Sequence, residues 1–189
     1  MTYTIKDLVP HTIETASGKS KELLLAANKK FGFTPNMYGG MAHEPALFEA
    51  YVSSYNAFRA ETDFTPVEQE VIFLVISREN GCTYCVAAHS FVADMSSGVP
   101  AAVTNAIRDG RPIPDAKLAS LAAFVEKMTL SRGRPSDADV AAFKAAGYGE
   151  RHILGVILAI SIKTFSNYTN HVFKTPLDAA FAPRAWKPA

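Results

Sequence analysis

Cys82 and Cys85 are the only two cysteines in the 189-residue chain; they stand three positions apart, and His89 follows four residues later. The run reads Asn80-Gly81-Cys82-Thr83-Tyr84-Cys85-Val86-Ala87-Ala88-His89. Two cysteines scattered at random would take that spacing about one time in a hundred. Two thiols beside an imidazole can carry redox or metal chemistry, because the thiolate is both the nucleophile and the ligating form.

Gly81 suits the left-handed residue that ends a helix, so the cysteines are expected to open the next one. The first turn of a helix presents unpaired N–H groups and the positive end of its dipole, and both favour a thiolate over a thiol of ordinary pKa about 8.5. His89 lies one turn beyond Cys85, and helical side chains lean toward the N-terminus. The imidazole should therefore lie over Cys85, take its proton and stabilise the thiolate as imidazolium. Cys82 is seven residues from His89 and needs a relay. In a regular helix, Cβ atoms at i and i+3 are about 5–6 Å apart, whereas a disulfide wants about 3.5–4.5 Å. A bridge is thus expected only where the first turn yields, and it should be easily reduced. Glu70 interrupts an otherwise apolar stretch, on the side shared with Phe73, Leu74 and Ser77. Burial there should raise its pKa, and a raised carboxyl beside an imidazole can relay protons.

The elements that must position these groups read as helices. Ser17-Gly18-Lys19-Ser20 opens a segment carrying Leu23, Leu24 and Ala27 that ends before Gly32, and 34–40 reads as a loop. Pro45 starts a helix with Leu47, Tyr51, Ser54 and Phe58 inward. Thr65-Pro66-Val67-Glu68 is a capping box for a helix that runs to about Glu79, apolar on all sides and so central. The helix of the cysteines should run to about Ser97, stopped by Gly98. Further helices are read from Pro100 to Asp109, from Asp115 to Leu130 (Leu118, Leu121, Ala122 and Val125 inward), from Ser136 or Asp137 to Ala146, and from Glu150 to Phe173. No stretch alternates as a half-buried strand does. The fold class is all-α: a helical bundle in one domain over 1–189, with an N-terminal arm over 1–16 and a loosely packed, proline-rich arm over 176–189. Leu74-Val75-Ile76-Ser77 echoes Leu158-Ala159-Ile160-Ser161, which pseudo-repeated helical hairpins would explain.

A net charge of +1 provides no basic face for phosphates, so nucleic acid is not an expected partner. The most apolar stretch, Ile153 to Ile162, is half the length of a membrane span, and no secretory signal is read at the start. A soluble, cytoplasmic protein is expected. In that reducing setting the CxxC should not be a permanent bridge.

Glu70, eleven intervening residues, then Cys82-x-x-Cys85-x-x-x-His89 resembles the active-site pattern of the alkylhydroperoxidase D (AhpD) proteins of the carboxymuconolactone decarboxylase superfamily. Thr34-Pro35-Asn36-Met37, Met41-Ala42-x-x-Pro45 and the Thr65-to-Glu70 helix start are similar to its peroxidase-related branch, as is Ser166-Asn167-Tyr168-Thr169-Asn170-His171. The resemblance implies an all-helical protomer that assembles as a homo-oligomer, a trimer or a dimer-based hexamer, without a bound cofactor. It implies a thiol-dependent peroxidase: Cys85 attacks a small hydroperoxide, Cys82 resolves the sulfenic acid to a disulfide, an external thiol reductant reopens it, and His89 and Glu70 carry the protons. The chain departs from the best-known members at Tyr84, where they have a second histidine. A phenol of pKa about 10 is a poor base at neutral pH, so Tyr84 is at most an auxiliary donor at the site or a packing residue.

Other readings compete. The dithiol could serve a general disulfide reductase or electron-relay protein. It could also sit in a non-catalytic helical oligomer that senses oxidants or binds metal. Cys82, Cys85 and His89 supply three ligands, but no fourth stands ready to close a structural zinc site. The cysteines could be buried small residues and no more. Decarboxylation gives paired cysteines nothing to do. Asn170 and His171 could line a pocket or an interface. For His11, His43 and His152 the bland structural role is expected.

Overall fold

The computed structural model describes residue 5 and residues 7–188, so residues 1–4, 6 and 189 of the two expected arms lie outside the described part. Nine α-helices are present among the described residues, and no strand; the all-α class is the expected one, with one helix more than the sequence reading named. They are α1 (Gly18–Phe31), α2 (Asn36–Met41), α3 (Pro45–Glu61), α4 (Pro66–Glu79), α5 (Thr83–Val92), α6 (Ala101–Asp109), α7 (Ala116–Leu130), α8 (Asp137–Ala145) and α9 (Glu150–Phe173). A π-helical turn, Ala93–Ser97, continues α5, and a 3-10 helix, Ala179–Arg184, follows α9.

α4 is the axis of the molecule. Thr65 Oγ1 accepts from Glu68 N at 3.3 Å while Glu68 Oε2 accepts from Thr65 N at 2.9 Å, so the capping box is formed. Every residue from Glu68 to Ser77 is buried, and α5, α6, α7 and α9 pack around the helix. Each of the apolar side chains from Val71 to Ile76 contributes about 1.5–3 kcal/mol by leaving water. That anchorage fixes where Glu70 sits.

The junction that delivers the cysteines follows from a single glycine. Gly81 adopts φ +66°, Gly81 N donates to Arg78 O at 2.9 Å, and Cys82 N donates to Ser77 O at 2.9 Å. These are the two bonds of a Schellman ending. Cys82 is thereby the N-cap of α5, with extended backbone (φ −82°, ψ 95°), and Cys85 lies in the first turn.

Four features differ from the sequence expectations. The stretch read as a loop over 34–40 contains α2, whose residues from Met37 to Met41 are buried; two adjacent glycines hid a short helix that needs close backbone approach. In α3 the buried positions are Phe48, Tyr51 and Phe58, with Leu47 and Ser54 only half-buried, because the bulkier aromatic face wins the core. The echoed tetrapeptides are not equivalent in burial, since Ser77 is buried and Ser161 exposed.

The stretch after α9 is not loose. Phe181 is buried against Tyr84, Phe91 and Phe33, Trp186 Nε1 donates to Arg108 O at 2.8 Å, and Asp178 is buried. Prolines end regular helices, but they do not prevent aromatic side chains from docking. At the other end, His11 N donates to Gly39 O at 3.0 Å and His43 Nε2 to Val9 O at 2.7 Å, which ties the chain before α1 to α2. No helix of the described residues is long and apolar enough to cross a membrane.

Candidate active site

Cys82, Cys85, His89 and Glu70 come together between α4, α5 and α9, and all four are buried. The two cysteines are free and approach to near 3.4 Å. Cys82, as N-cap, lies half outside the helix in whose first turn Cys85 stands.

The pair is polarised. Burial alone would push the Cys85 thiol up. A hydrogen bond from Cys82, the Lys163 cation, His89 and the Asn167 amide together draw it well below the ordinary thiol range. Cys82 moves the opposite way: the hydrogen bond it shares with Cys85, burial and the neighbouring charge all hold its proton in place. Cys85 is therefore the more acidic of the two thiols, and Cys82 is the donor that favours its thiolate. Asn170 Nδ2 donates to Cys85 Sγ at 3.2 Å and lies 3.2 Å from Met37 Sδ and 3.9 Å from Cys82 Sγ. One amide thus faces three sulfurs.

Glu70 corrects an expectation. Burial does favour its neutral form, but His89 and Arg59 outweigh burial and hold the carboxyl below its ordinary value of 4.5. His89 Nδ1 is 2.8 Å from Glu70 Oε2, and Arg59 Nη2 closes on Oε1. Arg59 is itself held by Tyr55 and Gln69 and lies 4.9 Å above the Phe73 ring. A carboxylate can only accept, so Nδ1 of His89 carries the proton and Nε2 of the neutral ring has a free lone pair. Burial and the Lys163 cation keep the imidazole below its ordinary value of 6.5. The cation expected beside Cys85 was an imidazolium; the structure supplies it from Lys163.

Lys163 and Arg59 are the residues that sequence reasoning missed. Lys163 is the only formally charged residue between Arg151 and Lys174, a lone cation on the buried stripe of a long apolar helix. That was the available signal. Glu70 needed a cationic partner, but nothing in the sequence selects Arg59 from the other basic residues. Asn170 is in the site, as one reading allowed. His171 lies outside it, against Tyr168. Tyr84 directs its hydroxyl away from the sulfurs to Asp178, whose carboxylate also accepts from Asn36 N at 3.1 Å. The phenol thereby links α5, α2 and the chain after α9.

No group of three or more His, Cys, Asp or Glu side chains among the described residues converges in a way that would hold a metal ion. Two surface hollows lie away from the dithiol, one around Phe64 and Leu154 and the other between residues 10–14 and α2, and the cysteines are 1% and 2% exposed. Access therefore requires side chains over the sulfurs to move, and Met37 is the one in contact with Asn170.

No family model matches the sequence, and no curated protein is similar to it at a significant level. Solved structures are. An AhpD-core, peroxidase-related protein from Ralstonia eutropha JMP134 superposes with a TM-score of 0.81 at 20% identity, covering 92% of each chain. A peroxidase-related protein from Silicibacter sp. TM1040 gives 0.72 at 22% identity, covering 93% of this chain and 95% of its own. The debrominase Bmp8, in complex with 2,3,4-tribromopyrrole, gives 0.77 at 17% identity and 97% coverage of both chains. At such identities it is the architecture that is shared, and the chain has the AhpD-like all-helical fold.

Proposed function

We propose that the protein is an AhpD-like, thiol-dependent peroxidase that reduces small alkyl hydroperoxides through a Cys82–Cys85 dithiol cycle. One observation carries the reading: two free, buried cysteines approach to near 3.4 Å, and Asn170 Nδ2 donates to Cys85 Sγ at 3.2 Å, which favours ionisation at Cys85. The thiolate attacks the terminal oxygen of the hydroperoxide, an S–O bond forms, the O–O bond breaks and an alkoxide leaves, taking a proton to become the alcohol. Cys82 then attacks the sulfenic sulfur, and the sulfenic hydroxyl departs as water as the disulfide closes. His89 Nε2, open because Nδ1–H is committed to Glu70, is the base available to guide that thiol proton. An external dithiol returns both cysteines to the reduced state by exchange.

The same pair would equally reduce an electrophilic carbon–halogen compound, a second reading favoured by the likeness to Bmp8. Titration of the reduced protein with tert-butyl hydroperoxide separates these. Loss of two free thiols per peroxide, with one alcohol formed and no reaction in Cys85→Ser, supports the peroxidase. Thiol loss no faster than that of free cysteine, alongside rapid loss with a bromopyrrole, favours the dehalogenase.

A further inference from the structure

Resting on the peroxidase reading, we propose that Lys163 is the acid that protonates the oxygen leaving group, with Asn167 completing a donor pair for that oxygen beside Cys85.

Three side chains of α9, Lys163, Asn167 and Asn170, stand at i, i+4 and i+7 and share one buried face. Their exposures are 1%, 0% and 5%. Each leaves a buried polar atom unsatisfied at ordinary hydrogen-bond geometry: Lys163 Nζ, Asn167 Nδ2 and Asn170 Oδ1. An unsatisfied buried polar atom costs about 1–3 kcal/mol, and a charged one more. Three on one helix face, close to the reacting sulfurs, are polar groups that an oxygen brought to Cys85 would meet. Their surroundings hold them there. Asn80, which caps α4, donates from Nδ2 to Asn167 Oδ1 at 2.8 Å, which leaves the Asn167 amide nitrogen to face Cys85. The Lys163 ammonium lies 5.4 Å from the centre of the Phe73 ring, and that ring is 4.9 Å from the ring of His89. Asn170 spends its own amide nitrogen on the sulfurs.

The chemistry requires such a donor. As the thiolate attacks, negative charge passes from sulfur to the oxygen that leaves. An alkoxide is a far stronger base than any group of the site and must receive a proton. His89 has no proton to give from Nε2, Glu70 is ionised, and the Cys82 proton is needed to form water in the next step. The Lys163 ammonium is the acid that remains.

The balance closes. Thiolate, ammonium and hydroperoxide become sulfenic acid, free amine and alcohol. Thiol and sulfenic acid then become disulfide and water. The external dithiol reduces the disulfide to two thiols, and the regenerated Cys85 thiol returns its proton to the Lys163 amine.

The test compares leaving groups in the full chain. Single-turnover oxidation is measured with tert-butyl hydroperoxide, which must expel an alkoxide, and with peracetic acid, whose carboxylate needs no proton. Lys163→Met is expected to slow the first reaction about 100-fold, the lower end of general acid catalysis, and the second by less than about threefold once scaled to the thiolate remaining at that pH. Thiolate content is read independently by the pH profile of iodoacetamide alkylation at Cys85. Lys163→Arg retains the charge but is too weak an acid to give up its proton. It should leave the alkylation profile near that of the unmodified protein and still lose the alkyl hydroperoxide reaction selectively. Equal losses with both oxidants, or none, would overturn the role of Lys163 while leaving the peroxidase standing. An unmodified protein inert to both oxidants, with Cys85 still alkylated, would overturn the peroxidase reading and the acid with it.

Discussion

Arg59 and His89 grip opposite oxygens of the Glu70 carboxylate, Arg59 on Oε1 and His89 through Nδ1 on Oε2 at 2.8 Å. The carboxylate is thereby a fixed acceptor, and the tautomer of His89 follows from it. Glu70→Gln should keep its amide oxygen on Arg59 and turn its NH2 toward His89 Nδ1, which moves the ring proton to Nε2 and blocks it as a base. Peroxide oxidation to the disulfide is expected to slow at least about tenfold, with far-UV circular dichroism unchanged. Unaltered kinetics would remove Glu70 from the proton path.

Arg59→Met tests the same grip through stability. The carboxyl of Glu70 is held below 4.5 in the folded protein. Its contribution is therefore complete above the unfolded value and is lost as pH falls through the lower folded value. Without Arg59 the folded value rises, so acid unfolding should begin at higher pH. The cost at neutral pH is expected at about 3–5 kcal/mol, the usual result of breaking a buried pair. Urea midpoints at pH 4, 5 and 7 read this directly; an acid midpoint equal to that of the unmodified protein would contradict it.

The polarised dithiol makes its own pH prediction. With Cys85 drawn well below the ordinary thiol value of 9.0 and Cys82 pushed above it, iodoacetamide should modify Cys85 alone at pH 7. Its rate should be nearly constant between pH 7 and 8, where that of a free thiol rises about tenfold. Asn170→Leu removes a hydrogen bond to the charged sulfur and should move the onset of alkylation to higher pH. Peptide mapping that finds Cys82 modified first would reverse the assignment of the two sulfurs.

Tyr84→Phe separates packing from catalysis. Removing the hydroxyl takes a buried donor from Asp178 and should cost about 1–3 kcal/mol, with faster proteolysis after Phe173. Disulfide formation on peroxide treatment should stay within about twofold. A large kinetic defect with intact stability would place the phenol in the chemistry.

Much of this site was legible because its determinants are local. Gly81 sets the Schellman turn, that turn makes Cys82 an N-cap, and helical spacing sets His89 one turn after Cys85. The Thr65–Glu68 box and the apolar run to Ile76 likewise fix α4, and with it Glu70. What escaped depends on long-range packing. Arg59 reaches Glu70 across a helix pair, and Lys163 reaches the sulfurs from α9, 78 positions after Cys85. Without those two cations Glu70 reads as a raised carboxyl and His89 as a future imidazolium; with them both titrations run the other way. Composition also misled at the chain end, where prolines suggested looseness but Phe181 and Trp186 dock.

The most direct measurement is mass spectrometry of the Cys82→Ser variant after brief exposure to tert-butyl hydroperoxide and a sulfenic-acid trap. One trapped oxygen on Cys85, with the parent protein giving instead a Cys82–Cys85 disulfide under the same exposure, is the expected result. A Cys82→Ser protein whose Cys85 stays reduced, or a trapped sulfenic acid on Cys82 in the converse Cys85→Ser variant, would contradict a cycle that begins at Cys85.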